Sequence, residues 1–294
     1  MDCKLLRLQE GDKVALIAPA SGQKQGDDTL IEQALSVLAK WGLSVMVRPN
    51  LNHCHYLSAS DSNRAKDLIK ALTHPEIKAV FVTRGGYGCA RLLSYLSKVS
   101  APTPRYLVGF SDITTLHLYG LTRQNIVSLH APNLATAQFL GDDKGAAKNR
   151  RALYNALFNG SYPSWQLQPL FTDRQGDISG YGVTGGCLSL LVTSLGTAYE
   201  IQTAGKVLMI EEIAEAPYRI DRMLTHLRCA GKFDDVEAIV FGEMLNCSSA
   251  TITLTDILLD EFANDDFPVC LTQAFGHGAI NLPWRYGNRL CMKA

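Results

Sequence analysis

The sequence predicts an α/β protein, in which an N-terminal parallel-sheet domain of the Rossmann or flavodoxin type is followed by a second, smaller α/β domain. Short apolar runs alternate with amphipathic segments from residue 13 onward, which is the order of strands and covering helices in a parallel sheet. The chain has 294 residues, a length that suits one large domain or two ordinary ones. The regular order changes near residues 140–180, where a polar helix gives way to a stretch rich in Gly, Pro, Ser and Asp.

The first half of the chain alternates predicted strands with predicted helices. The strands are expected at 13–17, 43–47, 78–83 and 105–108, and the helices at 28–41, 61–73, 87–97 and directly after Ser111. Within 28–41 the apolar side chains fall on one helical face, and Asp28 is the expected N-cap. Ligands of such sheets bind at the carboxyl ends of the strands, so the turns at 84–88 and at Ser111 are candidate sites.

The second half has a less regular order of elements. A polar helix is expected over 142–160. We predict an N-terminal domain over 1–145, a linker region over 146–175 and a C-terminal domain over 176–294. Beyond the linker, strands are expected near 181–184, 207–211, 236–241, 268–271 and 288–292, and helices from Gly186, over 218–229 and near 254–264.

The composition limits the classes of partner. Lys plus Arg and Asp plus Glu both total 28, and this neutral balance argues against nucleic acid or an anionic membrane as the main partner. Charged residues interrupt every apolar run of the N-terminus, and no later segment has the length of a membrane span. The cysteines form no C-x-x-C pair, so we expect reduced thiols and a cytoplasmic protein.

The stretch G-F-S-D, residues 109–112, lies between a predicted strand and a predicted helix. A sharp turn of this kind presents one side chain at the carboxyl edge of the sheet, beside fresh backbone N–H donors. Nucleophilic serines are often held in this way, but a serine at the start of a helix is usually only an N-cap. From the residues alone, Ser111 is therefore either a nucleophile or a cap.

A second candidate turn is R-G-G-Y-G, residues 84–88, again between a strand and a helix. Its glycines let the backbone approach a ligand and direct N–H groups at it. The spacing differs from G-x-G-x-x-G and no G-K-[ST] follows, so a nucleotide cradle is disfavoured. The remaining interpretations are a tight turn, or an oxyanion hole in which the N–H of Gly85 or Gly86 acts together with the N–H of Asp112.

A carboxylate and an imidazole are available to complete a nucleophilic site. Glu211 continues an apolar strand, so we expect it to be buried and to need a partner such as a histidine. His277 lies between two glycines after a predicted strand, where it is well placed to face a cleft. His130, at another strand end, is its rival. The pair His53 and His55 suggests a metal site, but no further ligand cluster accompanies it, so no metal is predicted.

Several motifs, taken in their order, resemble one known family. They are A-P-A-S (18–21), N-R-A-K-D-L (63–68), R-G-G-Y-G (84–88), G-F-S-D (109–112), P-Y-R-I-D-R-M-L (217–224) and G-H-G (276–278). Together they resemble the LD-carboxypeptidases of peptidase family S66, which also includes the microcin C self-immunity peptidases. The resemblance covers nearly the whole chain. It implies a catalytic triad of Ser111, His277 and Glu211, with no metal ion and no organic cofactor.

The resemblance also implies a substrate. A serine carboxypeptidase of this family would act on cytoplasmic muropeptide tetrapeptides from recycled cell wall and release the terminal D-alanine. It would be a homodimer. The free carboxylate of such a substrate needs positive partners, and Arg84 and Arg219 are candidates by position.

Two positions depart from the family pattern, and two alternative functions stay open. Cys187 stands in G-G-C-L where the family commonly has G-G-N-L, and Ala131 stands in H-A-P where it commonly has H-G-P, so both bear on the exact substrate. One alternative is a microcin C-type immunity peptidase that hydrolyses an aminoacyl or peptidyl nucleotide, for which Trp284 or Tyr286 would supply a stacking surface. The other is a non-catalytic protein that binds a small ligand in the same cleft.

Overall fold

Two mainly parallel β-sheets form the frame of the protein in the computed structural model, which describes residues 6–22, 28–51, 54–174, 176–289 and 292–293. Helices cover both sheets, which confirms the predicted α/β class. No helix within the described ranges combines the length and the apolar character that a membrane span requires. The side chain of Asp28, the expected N-cap, lies outside the part of the chain that the structure describes.

The first sheet is built mainly by the N-terminal half. Its parallel strands are β1 (Lys13–Ile17), β2 (Ser44–Val47), β3 (Ile77–Val82), β4 (Arg105–Gly109) and β5 (Ile126–His130). The helices of this half are α1 (Asp28–Lys40), α2 (Asp61–Thr73), α3 (Thr114–Leu121), α4 (Ala137–Leu140) and α5 (Lys144–Tyr154). The inner strands are apolar on both faces because each face packs in its own core, one containing Phe81 and Val108 and the other Val80 and Leu107.

The helix expected over 87–97 is shorter and tighter than predicted. It is a 3₁₀ helix over Ala90–Leu96. Gly86 and Gly88 have φ angles of +110° and +129°, which keep the chain before Cys89 out of a helical conformation. The glycine-rich segment is therefore a loop along its whole length.

The segment predicted as a linker is helical at its start. The helix expected over 142–160 is α5 followed by a π-helical turn over Asn155–Asn159. Leu153 and Leu157 of this region pack in one core of the first sheet. The domain bounds stay a prediction, and α5 belongs by packing to the first sheet.

The second sheet follows α5. The remaining strands are β6 (Trp165–Gln166), β7 (Gln168–Pro169), β8 (Gly182–Cys187), β9 (Lys206–Ile213), β10 (Ala238–Leu245), β11 (Val269–Gly276), β12 (Trp284–Arg285) and β13 (Met292–Lys293). The remaining helices are α6 (Leu188–Ser194), α7 (Pro217–Cys229) and α8 (Leu254–Glu261). The sheet has the order β7-β11-β10-β9-β8, in which only β7 is antiparallel, while β13 and β6 form a separate pair.

After β11 the chain leaves the second sheet, and strand β12 joins the first sheet. Trp284 pairs with His130 and Arg285 with Leu129, so the first sheet has the order β12-β5-β4-β3-β1-β2. The sequence predicts no strand here, because two residues carry no periodicity. The strand expected near 288–292 falls partly on residues 290 and 291, which are not among the described residues. This crossing places residues 277–283 between the two sheets.

A buried arginine fixes the loops at the carboxyl edge of the first sheet. The side chain of Arg64, on α2, is fully buried. Its guanidinium donates to the carbonyl oxygens of Pro19, Gly88 at 3.0 Å and Ala59 at 3.2 Å, and pairs with Asp61 at 2.5 Å. It therefore joins the loop after β1 to the glycine-rich loop after β3.

We expect Arg64→Met to lower the free energy of unfolding by about 3 kcal/mol, because buried carbonyl groups lose their donors. Chemical denaturation measures this loss. The matched control is Arg91→Met, because Arg91 pairs with the same Asp61 at 2.7 Å but is exposed. A loss of stability in the control as large as in Arg64→Met would contradict the proposed role of burial.

Candidate active site

Ser111 occupies a strained turn at the carboxyl end of β4. Its φ angle is +65°, in the left-handed region that costs a non-glycine residue roughly 1–3 kcal/mol. The chain reaches this turn through Gly109, where a Cβ atom would lie 2.9 Å from the Asn133 side chain and 3.0 Å from Ile113. A 3₁₀ turn over Ser111–Ile113 then leads into α3. The structure thus presents one hydroxyl at the edge of the first sheet.

The second sheet supplies an imidazole and a carboxylate to this hydroxyl. Glu211 lies on β9, and His277 directly follows β11. His277 Nε2 lies 3.0 Å from Ser111 Oγ, and His277 Nδ1 lies 2.6 Å from Glu211 Oε2. The carboxylate accepts the Nδ1–H, which leaves Nε2 free to accept the serine proton. The three residues expected to act together are therefore brought together.

Burial and pairing set the charges in this chain of hydrogen bonds. Glu211 is 0% exposed, and its Oε1 has no hydrogen-bond partner among the described residues. Burial raises the pKa of Glu211, and the neighbouring imidazole opposes this rise. For His277, burial favours the neutral form, but the carboxylates of Glu211 and, more weakly, Glu212 together raise the pKa above its usual value of 6.5. The positively charged form of the His277 ring, which arises when the ring accepts a proton from Ser111, is thus stabilised.

The glycine-rich loop after β3 lies against the serine. A Cβ atom at Gly85 would be 2.9 Å from Ser111 Cβ and 3.0 Å from Ser111 Oγ, so only glycine allows this approach. Gly86 has a φ angle of +110° and packs on the side chain of Ser21. Of the two glycines predicted for the oxyanion hole, Gly85 is therefore the one whose backbone lies against the Ser111 hydroxyl.

Asp112 has a structural task that the sequence does not reveal. Its carboxylate is buried and accepts the backbone N–H of Cys89 at 2.8 Å. Burial raises the pKa of Asp112, and the hydrogen bonds from Cys89 oppose the rise. This contact fixes the glycine-rich loop against the serine turn.

The two predicted substrate-binding arginines lie in different surroundings. Arg84 Nη1 donates to the carbonyl of Gly22 at 3.2 Å and immediately precedes the glycines beside Ser111. Arg219, on α7, is exposed and contacts the Tyr218 hydroxyl at 3.2 Å and Glu215 at 3.4 Å. Among the hydrogen bonds of the described residues, none joins either arginine to the serine, imidazole or carboxylate.

Among the described residues, the rival histidine has no hydrogen bond to the serine. His130 is fully buried, contacts Asn281 Oδ1 at 3.0 Å and stacks on Trp284 with ring centroids 4.8 Å apart. Trp284 and Tyr286, considered as a stacking surface for a nucleobase, are both buried in the core. His53 lies outside the described residues, and among those that are described no cluster of three metal-binding side chains occurs.

Sequence reasoning missed the contacts that several polar residues make around the site. Asn133 accepts the N–H of Phe110 at 3.3 Å, and Glu212 accepts the N–H of Ser189 at 2.7 Å. The Cys187 thiol lies 3.3 Å from Glu212 Oε1. Asn133 had a signal, because it follows the strand end at residue 130, and Cys187 had one in its departure from the family pattern. The contacts themselves join groups remote in the chain, and no local pattern reports such contacts.

Two family models and several relatives match the chain over most of its length. A model described as the LD-carboxypeptidase N-terminal domain matches residues 14–131, and one described as the LD-carboxypeptidase C-terminal domain matches residues 182–292. A probable murein peptide carboxypeptidase of Bacillus subtilis is 33% identical, over 97% of this chain and 90% of the relative. The murein tetrapeptide carboxypeptidase of Pseudomonas aeruginosa is 30% identical, over 94% and 91%.

Solved structures share the two-sheet fold. The muramoyltetrapeptide carboxypeptidase from Oxalobacter formigenes superposes with a TM-score of 0.76 at 25% identity, over 94% of this chain and 92% of that one. The microcin C7 self immunity protein MccF superposes with a TM-score of 0.80 at 19% identity, over 96% and 94%. The latter likeness concerns the fold alone. Because the family models cover most of the chain and full-length relatives match it, this protein is a member of peptidase family S66, the LD-carboxypeptidase family.

Proposed function

We propose that this protein is a serine carboxypeptidase that releases the terminal D-alanine of muropeptide tetrapeptides. The observation that carries the proposal is the continuous path of hydrogen bonds from Ser111 Oγ through the His277 ring to Glu211. The names of the murein peptide carboxypeptidases at 30% and 33% identity support the substrate class. The scissile bond joins the carbonyl of an L-centre to the amine of the D-residue.

The first half of the reaction forms an acyl-enzyme. Ser111 Oγ attacks the carbonyl carbon while His277 Nε2 takes the hydroxyl proton. The C–N bond then breaks, and the imidazolium gives that proton to the leaving amine of D-alanine. Glu211 holds the ring in the Nδ1–H tautomer and stabilises its positive charge, which is why its burial beside His277 matters.

The second half restores the enzyme. A water molecule gives a proton to His277 Nε2 and attacks the acyl carbon, and the Ser111 oxygen leaves with that proton. The tripeptide carboxylate is the second product. In both halves the negative oxygen of the tetrahedral intermediate is assigned to the backbone N–H groups of Gly85 or Gly86 and of Asp112. The close approach of Gly85 to Ser111 supports this assignment.

Recognition of the substrate carboxylate is assigned to arginine. Arg84 is the stronger candidate, because it directly precedes the glycine that touches Ser111. Arg219 lies at the exposed start of α7 and already pairs with Glu215. We further propose that the protein works in the cytoplasm in cell-wall recycling and forms a homodimer, as the family resemblance implies.

The alternative activity on an aminoacyl or peptidyl nucleotide uses the same three side chains. Burial of Trp284 and Tyr286 removes the stacking surface that the sequence offered for a nucleobase. Parallel digests of an L,D-tetrapeptide and a peptidyl-adenylate analogue, followed by mass spectrometry, separate the two activities. Release of D-alanine supports our proposal, and cleavage of the nucleotide conjugate alone overturns it. Binding without cleavage of either would indicate a ligand-binding protein.

Ser111→Ala should lower the hydrolysis of a tetrapeptide ending in D-alanine by roughly 10⁴-fold or more while the fold is retained. The reason is the loss of the only attacking atom. Released D-alanine is the measurement, and circular dichroism checks the fold. The tetrapeptide ending in L-alanine is the substrate control and should not be cleaved by the wild type. Hydrolysis at the wild-type rate in the variant would refute the mechanism.

The strain at the nucleophile predicts an effect on stability. Ser111→Gly should be more stable than Ser111→Ala by about 1 kcal/mol, because only glycine adopts a φ of +65° without a steric cost. Chemical denaturation gives the difference. Ser97, an exposed residue with a φ of −53°, is the matched control. At Ser97, we expect Ser97→Gly to be less stable than Ser97→Ala. If the glycine variant were the more stable one at both sites, the proposed strain at Ser111 would be contradicted.

The raised pKa of His277 predicts the pH dependence. The base must be neutral, so kcat/KM should fall as the pH drops through a pKa above 6.5. In Glu211→Gln the larger of the two contributions that raise the His277 pKa is gone and that of Glu212 remains, so the acid limb should move to lower pH. The rate should drop by roughly 10⁴-fold. A pH–rate profile of both proteins tests this. An unchanged position of the limb would mean that another group titrates.

A further inference from the structure

The segment that carries the imidazole is held by side chains from the other sheet. We define the base loop as residues 276–281, which leave β11 and run towards β12. Gln138 of α4 donates from its single Nε2 to the carbonyl of Gly276 at 2.8 Å and to the carbonyl of Gly278 at 2.5 Å. These carbonyls flank His277 on both sides. One side chain thus fixes the backbone on both sides of His277.

Asn149 of α5 holds the far end of the base loop. Its Nδ2 donates to the carbonyl of Ala279 at 3.0 Å and to the carbonyl of Gln138 at 2.9 Å. Its Oδ1 accepts the backbone N–H of Asn281 at 2.9 Å. Asn149 is fully buried, so each of these polar groups would lose a partner without gaining water if the side chain were removed. The same residue therefore links the loop and the helix that bears Gln138.

Asn281 closes the network from within the loop. Its Oδ1 accepts the N–H of Gly276 at 3.1 Å and lies 3.0 Å from His130 Nε2, while its Nδ2 lies 3.4 Å from Gln138 Oε1. Because Oδ1 of Asn281 accepts, His130 carries its proton on Nε2. The pKa of His130 lies well below its usual value because the ring is buried. His130 is therefore a neutral donor that supports the loop.

The base loop needs such external support. Gly276 has a φ angle of +120°, and Gly278 has no side chain with which to pack. Residues 277–281 of the loop also belong to no regular strand, although they connect β11 of the second sheet to β12 of the first. Proton transfer is sensitive to displacement of the base, and an error of about 1 Å can lower a rate roughly 10²-fold.

We propose that Gln138 and Asn149 are positioning residues for the general base, which fix the His277 imidazole between Ser111 and Glu211 from the first sheet. The inference rests on the proposed function, because it assigns His277 as the base. Neither residue touches the reacting atoms, and both act through the backbone of the base loop. Helices α4 and α5 thereby become part of the active-site machinery.

The charged and titratable groups around His277 determine its pKa, which is the quantity that the test measures. Glu211 and Glu212 of β9 both raise its pKa. Glu243 of β10 packs against Gly278, and His130 of β5 stays neutral beside the Phe110 ring that also contacts His277. A loosened base loop lengthens the contact to Glu211 in particular. The pKa of His277 should therefore fall towards its usual value when the loop loses its donors.

The test uses variants that keep the size of the side chain. Gln138→Met and Gln138→Leu both remove the two donated hydrogen bonds without adding a charge, and Asn149→Leu removes those of Asn149. We expect kcat for the tetrapeptide to fall roughly 10- to 100-fold with KM changed by less than about twofold. Proton NMR titration of labelled histidine, assigned with His277→Gln, should show a lower pKa for His277 in each variant.

Arg150→Met is the matched control. Arg150 neighbours Asn149 on α5 and donates to the carbonyls of Phe139 at 2.5 Å and Gly141 at 2.9 Å, so it supports α4 without touching the base loop. We expect this variant to lose stability but to keep kcat and the pKa of His277. An equal loss of kcat in the control, or an unchanged pKa in the Gln138 variants, would overturn the proposal.

The NMR titration separates this inference from the proposed function. It needs no substrate, so it reports on the base loop even if the wild type releases no D-alanine. A wild type that is inactive on the tetrapeptide refutes the proposed substrate and leaves the test of Gln138 intact. If Gln138→Met does not fold, Gln138→Leu and Asn149→Leu test the proposal with the same two measurements.

Discussion

The hydrogen bond between Glu211 and His277 is the interaction on which the site depends. A fully buried carboxylate is costly to hold as an anion, and Oε1 of Glu211 has no hydrogen-bond partner among the described residues. Its attraction to the imidazole therefore fixes both groups at once. The bond orients the ring so that Nε2 meets Ser111, and it raises the pKa of His277 against the effect of burial. The same hydrogen bond thus orients the His277 ring and makes it more basic.

This bond can act only if the two sheets keep a fixed relation. Ser111 belongs to the first sheet, whereas Glu211 and His277 belong to the second. Two features connect them. Strand β12 carries the chain back into the first sheet beside β5, and the base loop before it is held by α4 and α5. The fold is therefore a precondition for the proton path, because neither sheet contains it alone.

Much of this arrangement could be predicted from the sequence, and the limits are physical. Alternating apolar runs predicted α2 to the residue and most strands within a few residues, because burial leaves a periodic pattern. Ser111, Glu211 and His277 stood out because each sits at a strand end in an unusual local setting. Strand β12 could not be predicted, since its pairing depends on a remote partner. The contacts of Gln138 left no signal for the same reason.

The two departures from the family pattern can be interpreted in the same terms. The Cys187 backbone N–H donates to Thr114 Oγ1 at 3.2 Å, and the Ala131 N–H donates to the Gly109 carbonyl at 3.2 Å. Both bonds brace the serine turn, and both use backbone atoms that every non-proline residue has. The departures therefore spare the scaffold of the nucleophile. What differs at Cys187 is a thiol directed at Glu212, so any change in chemistry lies on the Glu212 side of the site.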